Sequence, residues 1–282
     1  MKKCILTVIK DELPYLDEFI RYHLGMDIDH IFICEDKGSV SHMEITDKYP
    51  SDKVTLLNVL DLYDTEEKRE KAIYGMTHAY KMQGNYFRNG LEYVKKNYDC
   101  SWCFIIDIDE YITLDDGYER IDDVLDEFSD YDAVLLQWEN YGANGLVYKP
   151  SYEERGIMDT YTRKCGFQDI DDRKWYQKIK TAYNMDRYDN TFMSDHLPQY
   201  SCKWCKTDFT QDKERMVYDK MYLRHYITKS FEEYVIKLKI RGMFYPKHRN
   251  YDSFFEMNKD MTSQKEELIK WAEEYVKEHK KE

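Results

Sequence analysis

Residues 100–111 read CSWCFIIDIDEY, an apolar run from Trp102 to Ile106 that stops on Asp107 and Asp109. The run has the length of a buried strand, and a segment of helical spacing over about 79–96 precedes it. A helix leading into an apolar strand that opens on an acidic turn is the repeating unit of an α/β sheet. On extended chain, residues two apart point to the same side, so Asp107 and Asp109 can share a hard divalent cation. Two neighbouring carboxylates are costly unless a cation or a proton neutralises one of them. The same stretch carries a rival metal pattern, Cys100-x-x-Cys103.

Outward from this stretch, strand and helix signals alternate. Cys4 to Ile9 reads as a strand, and Leu13, Leu16, Phe19, Ile20 and Leu24 recur at helical spacing. His30 to Cys34 and Val54 to Val59 read as further strands. Ile121, Val124, Leu125 and Phe128 then mark a helix before the strand Ala133 to Trp138. This alternation predicts an α/β fold with a mostly parallel central sheet flanked by helices. Ligands of such sheets bind at the carboxyl ends of the strands. Lys10-Asp11-Glu12, Glu35-Asp36 and Asp107-Ile108-Asp109 all fall at such ends. From about 141 to 219 the pattern is irregular and rich in Tyr, Asp, Lys and Arg, as expected of loops and short strands facing a substrate. Ser230 with Glu233, and Ser263 with Glu266, have capping-box spacing and predict helices reaching about 241 and the C-terminus.

Composition narrows the function. The chain has 282 residues, including 27 Tyr and 12 Phe, enough for a large folded core. A net charge of -13 argues against a general nucleic-acid binder. The apolar run after Lys2 and Lys3 is short and ends at Lys10-Asp11-Glu12, unlike a signal peptide. No stretch approaches the roughly 20 apolar residues of a membrane span. A cytoplasmic protein is expected, with room for peripheral association at the inner face of a membrane, and with its seven cysteines reduced.

Several segments together resemble the GT-A glycosyltransferases of the family 2-like and family 92 (DUF23-type) group. KDELPYLDEFIRYHLGMDIDHIFICEDKGS (10–39) is similar to that group's opening, with a Tyr-His pair in its helix and an acidic Gly-Ser turn. QGNYFRNGLEYVKKNYDCSWCFIIDIDEYI (83–112) is similar to its central block. QWENYGANG (137–145), KTAYNM (180–185) and LRHYITKSFEEYVIKLKIRG (223–242) follow in the group's order. Asp11 stands where Asn is usual, and EDKGSV lacks the Asp that usually ends its turn.

The resemblance implies a GT-A domain over 1–245 with a helical extension over 246–282. It implies transfer of a hexose from a nucleoside-diphosphate sugar, expected to be a UDP-sugar, to a glycan or glycolipid acceptor in bacterial surface polysaccharide synthesis. Glu12, Glu35 and Asp36 would border the nucleoside, with Arg88 and Asn89 close to the nucleotide. Asp107 and Asp109 would hold Mn2+ or Mg2+ against the diphosphate, and His225 would complete the metal shell. Lys180 would add cationic support to the phosphates. An inverting transfer, the expected course, needs a carboxylate base beside the acceptor hydroxyl. Glu139, just after a strand, and Asp195, beside His196, are the alternatives.

Three rival readings come from the same residues. Asp-x-Asp after an apolar strand also opens haloacid-dehalogenase-type phosphohydrolases, though there it runs into Gly-Thr or Thr/Val rather than Glu110-Tyr111. A non-catalytic carbohydrate-binding protein would account for the aromatic middle. The Cys100–Cys103 and Cys202–Cys205 pairs would make a zinc site only if brought together across a separation far wider than the roughly 15–20 residues of usual zinc modules. Reduced, structural cysteines are the expectation.

Overall fold

The computed structural model describes residues 1–282 except 37–40, 64, 66, 68, 71–81, 153–154, 166–177, 190, 195, 213–214, 241–249 and 280–282, with backbone alone at 82–83. The chain forms two compact units, each built from separate stretches. The first comprises Met1–Glu139 and Lys174–Arg224, the second Asn140–Arg173 and His225–Glu282. A boundary at 245 would fall within the second unit, among residues outside the described set.

The first unit is an α/β layer structure. Its strands are β1 (Lys3–Ile9), β2 (His30–Glu35), β3 (Val54–Asn58), β4 (Trp102–Ile105), β5 (Glu110–Leu114), β6 (Ala133–Asn140), β7 (Ile179–Asn184), β8 (Trp204–Lys206) and β9 (Met221–His225), the last residues of β6 and β9 belonging to the second unit. They lie in the order β3-β2-β1-β4-β7-β6-β9-β5, with β8 beside β6. β3, β2, β1 and β4 run parallel, and β7 is antiparallel to both β4 and β6. The sheet is therefore mixed and mostly parallel, as the alternation of elements predicts. Cys4, Ile5 and Leu6 of β1 are fully buried, as expected of a strand covered on both faces.

The helix Met82–Asn97 lays Phe87, Leu91 and Val94 into the core beside Leu6, Cys103 and Ile105. A Cβ on Gly90 would stand 2.8 Å from a Leu6 methyl, so a larger residue here would force the Leu6 side chain to shift. The helix Leu13–Gly25 buries Leu16, Phe19, Ile20 and His23. Its Tyr-His pair has a structural task. Tyr22 donates to the Ile112 carbonyl at 2.6 Å, and His23 Nε2 accepts the Ile112 N–H at 3.2 Å. Ile112 lies on β5, the end strand of the sheet, whose outer backbone groups would otherwise lack partners. The two side chains thus fix the strand that begins at Glu110.

β7 corrects the sequence reading. It is a fully buried strand between β4 and β6, yet it falls in the stretch expected to be irregular. Lys180, Thr181 and Asn184 interrupt its apolar pattern, and each is buried because it finds a partner inside.

In the second unit, Phe231, Tyr234, Val235, Phe254, Phe255, Met261, Leu268 and Ala272 form the core. The Ser230–Glu233 capping box is present, but the α-helix it opens covers only Phe231–Val235 and continues as a π-helical turn over Ile236–Ile240. The box expected at Ser263 and Glu266 is not formed. Ser263 sits inside a 3-10 turn, Lys259–Gln264, that runs straight into the helix Lys265–His279. An N-cap must leave helical backbone geometry, and that turn keeps it. The second capping box is instead Asn250 with Ser253, opening the helix Tyr251–Met257.

Candidate active site

β2, β1 and β4 are neighbours and parallel, so their carboxyl ends deliver the turns after Ile9, Glu35 and Ile105 to one edge of the first unit. The Asp107–Glu110 turn closes on itself. The Glu110 N–H donates to the Asp107 carbonyl at 3.0 Å, and the Asp107 N–H donates to Glu110 Oε2 at 2.9 Å. Asp109 is nearly buried, whereas the Asp107 side chain keeps 29% of its exposure. Glu110 is fully buried, and its Oε1 has no hydrogen-bond partner. Burial pushes the Glu110 carboxyl well above the ordinary carboxylate range. Lys180 opposes that shift, and Asp107 and Asp109 add to it.

Among the described residues, Lys180 of the hidden strand β7 is a cation hydrogen-bonded to this cluster. Its ammonium, wholly buried, bonds Asp107 Oδ2 at 2.8 Å and stands 3.9 Å from Glu110 Oε1. The rings of Phe87 and Trp138 enclose it at 5.7 and 5.9 Å. Lys180 therefore acts as an internal counter-charge to Asp107. Asp107 and Asp109 carry hard oxygen donors, the type that Mg2+ and Mn2+ take. Among the described residues, no group of three or more His, Cys, Asp or Glu side chains is gathered as a metal cage.

The β1 and β2 turns are joined by His42, which the sequence reading did not single out. His42 is fully buried. Its Nδ1 lies 2.6 Å from Glu35 Oε1, its backbone N–H donates to the same oxygen at 2.9 Å, and its Nε2 accepts the Glu12 N–H at 3.0 Å. The ring thus carries its proton on Nδ1 and gives it to Glu35. Glu35 is thereby engaged in holding the loop. A lone His seven residues beyond the strand end gives no sequence signal, because the loop must fold before the pair exists. Replacing His42 with Phe leaves the Glu12 N–H without an acceptor, and a loss of about 1–3 kcal/mol in urea denaturation is expected. Preceding Glu12, Asp11 takes a left-handed φ of 53°, a conformation that Asn and Asp tolerate better than other side chains. Asp in place of the usual Asn keeps that turn accessible.

Asp36 donates its N–H to the Ile9 carbonyl. Its charge, after burial, helps to raise the phenols of Tyr63 and Tyr86 above their ordinary range, so acid and rings share one neighbourhood. The rest of the acidic turn, residues 37–40, lies outside the described residues. Arg88 is exposed on its helix, 5.5 Å over the Phe192 ring and 3.4 Å from Asn85, and Asn89 beside it is half-buried. Neither is among the hydrogen-bond partners of the Asp107–Glu110 turn described above.

β4 and β6 run in the same direction, each antiparallel to β7, so Glu139, near the end of β6, lies toward the end of the sheet at which β4 gives way to the Asp107–Glu110 turn. Glu139 is half-buried, and its charge adds to burial in raising the Tyr218 phenol, whose hydroxyl donates to the Trp138 carbonyl. Asp195 lies outside the described residues. His225 belongs to the second unit, where it is buried with Nδ1 3.0 Å from Asn140 Oδ1.

The cysteines differ from expectation. Cys4 and Cys100 form a disulfide, because β1 and β4 are adjacent and Cys100 lies just ahead of β4. Cys34, Cys103, Cys165, Cys202 and Cys205 are free thiols. Burial pushes Cys34 and Cys205 up to about 12, and Cys103 higher still, which makes them poor nucleophiles. Cys100 is thus committed to Cys4 and is unavailable for a zinc site with Cys103.

No protein-family model matches the chain, and no curated protein matches it by sequence. Solved structures do. TarS from S. aureus aligns with a TM-score of 0.34 and 14% identity over 57% of this chain, which spans 28% of that one. HddC from Yersinia pseudotuberculosis aligns at 0.38 and 10% identity, over 73% of this chain and 89% of that one. The galactosyltransferase LgtC, solved with donor and acceptor sugar analogs, aligns at 0.37 and 11% identity, over 79% and 87%. At these scores the functional reading rests on the residues of the site.

Proposed function

We propose that the chain is a metal-dependent glycosyltransferase that moves a sugar from a nucleoside-diphosphate donor, a UDP-sugar, to a glycan or glycolipid acceptor. The observation that carries this reading is the meeting of the Glu12, Glu35-Asp36 and Asp107–Glu110 turns on neighbouring strands of one sheet edge. In it, Asp36 accepts hydrogen bonds from the nucleoside, and Glu12 and Glu35 shape the turn beneath it. Asp107 and Asp109 are the residues of this unit that would hold Mn2+ or Mg2+. The cation, when bound, supplies Lewis-acid stabilisation of the charge that develops on the leaving diphosphate. Glu139 takes the proton of the acceptor hydroxyl, with Asp195 as the alternative base.

The test is release of nucleoside diphosphate from a panel of nucleotide-sugars with Mn2+ or Mg2+. Slow hydrolysis of one or more donors is expected, and inertness toward all of them with either ion contradicts the reading. One observation favours a second reading. An Asp107 carboxylate paired with a buried lysine is also suited to accept a phosphoryl group. That reading requires phosphate release from small phosphoesters, lost in Asp107→Asn.

A further inference from the structure

The amino ends of β1, β2 and β3 frame a cleft of about 510 Å³, at the opposite end of these parallel strands from the Asp107–Glu110 turn. At roughly 3.3 Å per strand residue, the seven residues of β1 set the two ends about 20 Å apart. Small-ligand pockets span roughly 300–1,000 Å³, and the cleft lies in that range. Its floor is aromatic. His30 and Phe32, nearly buried on β2, have ring centroids 4.3 Å apart, and Tyr98 closes on them at 4.8 and 5.4 Å. Both His30 nitrogens are spent, Nδ1–H on the Asp52 carbonyl at 2.9 Å and Nε2 on the Thr55 hydroxyl at 2.8 Å, so this ring is fixed. Tyr93 stands edge-on to Phe32 at 6.2 Å and is partly exposed.

The rim is polar and balanced in charge. Lys2 and Lys53 line it together with Asp29 and Asp52, two charges of each sign. Asp52 is exposed, and its backbone carbonyl rather than its carboxylate takes the His30 bond. The Asn97 amide donates to the Tyr93 carbonyl at 2.8 Å, which leaves its Oδ1 as an acceptor. Burial, followed by the charges of Asp29, Asp52 and Asp99, raises the Tyr98 phenol, which keeps its O–H as a donor. A diphosphate or a strong cation would meet like charges on such a rim. An uncharged sugar ring meets none. Its C–H face suits the negative face of an aromatic ring, and its hydroxyls suit carboxylate and amide acceptors.

We propose that this cleft is a second ligand site, one that takes an uncharged pyranose ring of a glycan, stacked on Tyr93 and held by Asp52 and Asn97. In the transferase proposed above, it would anchor a stretch of glycan far from the reacting hydroxyl, but sugar binding here does not depend on that chemistry.

The experiment is saturation-transfer NMR on the full chain with the methyl pyranosides of glucose, galactose, mannose and N-acetylglucosamine. Wild type, Tyr93→Leu and Asp52→Ala are compared, and UDP with Mg2+ serves as competitor. At least one glycoside should bind the wild type and stay bound in the presence of UDP and Mg2+. Tyr93→Leu should weaken that binding about five-fold, the scale of a lost aromatic contact. Asp52→Ala should weaken it about ten-fold, the scale of a hydrogen bond to a charged group. Circular dichroism establishes that the variants are folded, and Asp52→Ala, at an exposed position, decides alone if Tyr93→Leu does not fold. Failure of all four glycosides to bind, unaltered binding by the folded variants, or displacement by UDP and Mg2+ overturns the proposal. Wild-type protein that binds a glycoside in this cleft but neither UDP nor any nucleotide-sugar supports the proposal and contradicts the transferase reading alone.

Discussion

Asp109→Asn is expected to lower donor turnover by about 10²–10⁴-fold, the scale of Lewis-acid stabilisation worth several kcal/mol. The substitution keeps the shape of a nearly buried side chain and removes its charge. Asp107 cannot take over readily, because Lys180 already holds it at 2.8 Å. The loss should fall mainly on kcat, since the charge on the diphosphate is greatest in the transition state. Steady-state kinetics on the preferred donor measures it. Turnover within a factor of about three of wild type would remove Asp109 from the chemistry.

The second large effect is on stability and comes from His23. This ring is fully buried, with Nδ1 bonded to the Phe19 carbonyl and Nε2 accepting the Ile112 N–H. Burial lowers its pKa from 6.5 to about 3. Between those values the unfolded chain takes up a proton that the folded chain refuses, so stability is complete above pH 6.5 and declines as pH falls toward 3. By pH 5 the loss from this one residue should be about 2 kcal/mol. His30, also lowered by burial, acts in the same direction. His23→Gln is expected to be less stable than wild type at pH 7, because the clamp on Ile112 is weakened. Its stability should nonetheless fall less steeply between pH 7 and 5. Urea denaturation at both values checks the slope, and parallel curves for the two proteins would contradict the assignment.

What the sequence made legible follows from where its signals are local. β1, β2 and β4 are short apolar runs, and the acidic residues that end them mark their carboxyl ends without further information. Strand β7 hid because Lys180, Thr181 and Asn184 look like surface residues until Asp107, the His196 carbonyl and the Ser129 carbonyl are brought to them. The role of Glu110 hid for the same reason. Its carboxyl group braces the turn that presents Asp109, which only the folded turn reveals. The Tyr22-His23 pair entered as a mark of resemblance, and the structure gives it a physical purpose in holding the end strand β5. The disulfide between Cys4 and Cys100 depends on strand adjacency, and Cys-x-x-Cys spacing pointed away from it.

The most direct test of the central claim is the melting temperature of the wild-type protein with and without UDP and Mn2+, beside Asp109→Ala. At about one hundred times the dissociation constant, ligand binding should stabilise the fold by about 2.7 kcal/mol and raise the melting temperature by about 5 °C. The expected result is that rise in the wild type, its dependence on the divalent ion, and its loss in Asp109→Ala. A wild-type melting temperature unmoved by UDP with Mn2+, Mg2+ or any other divalent ion would contradict a nucleotide-sugar site at this sheet edge.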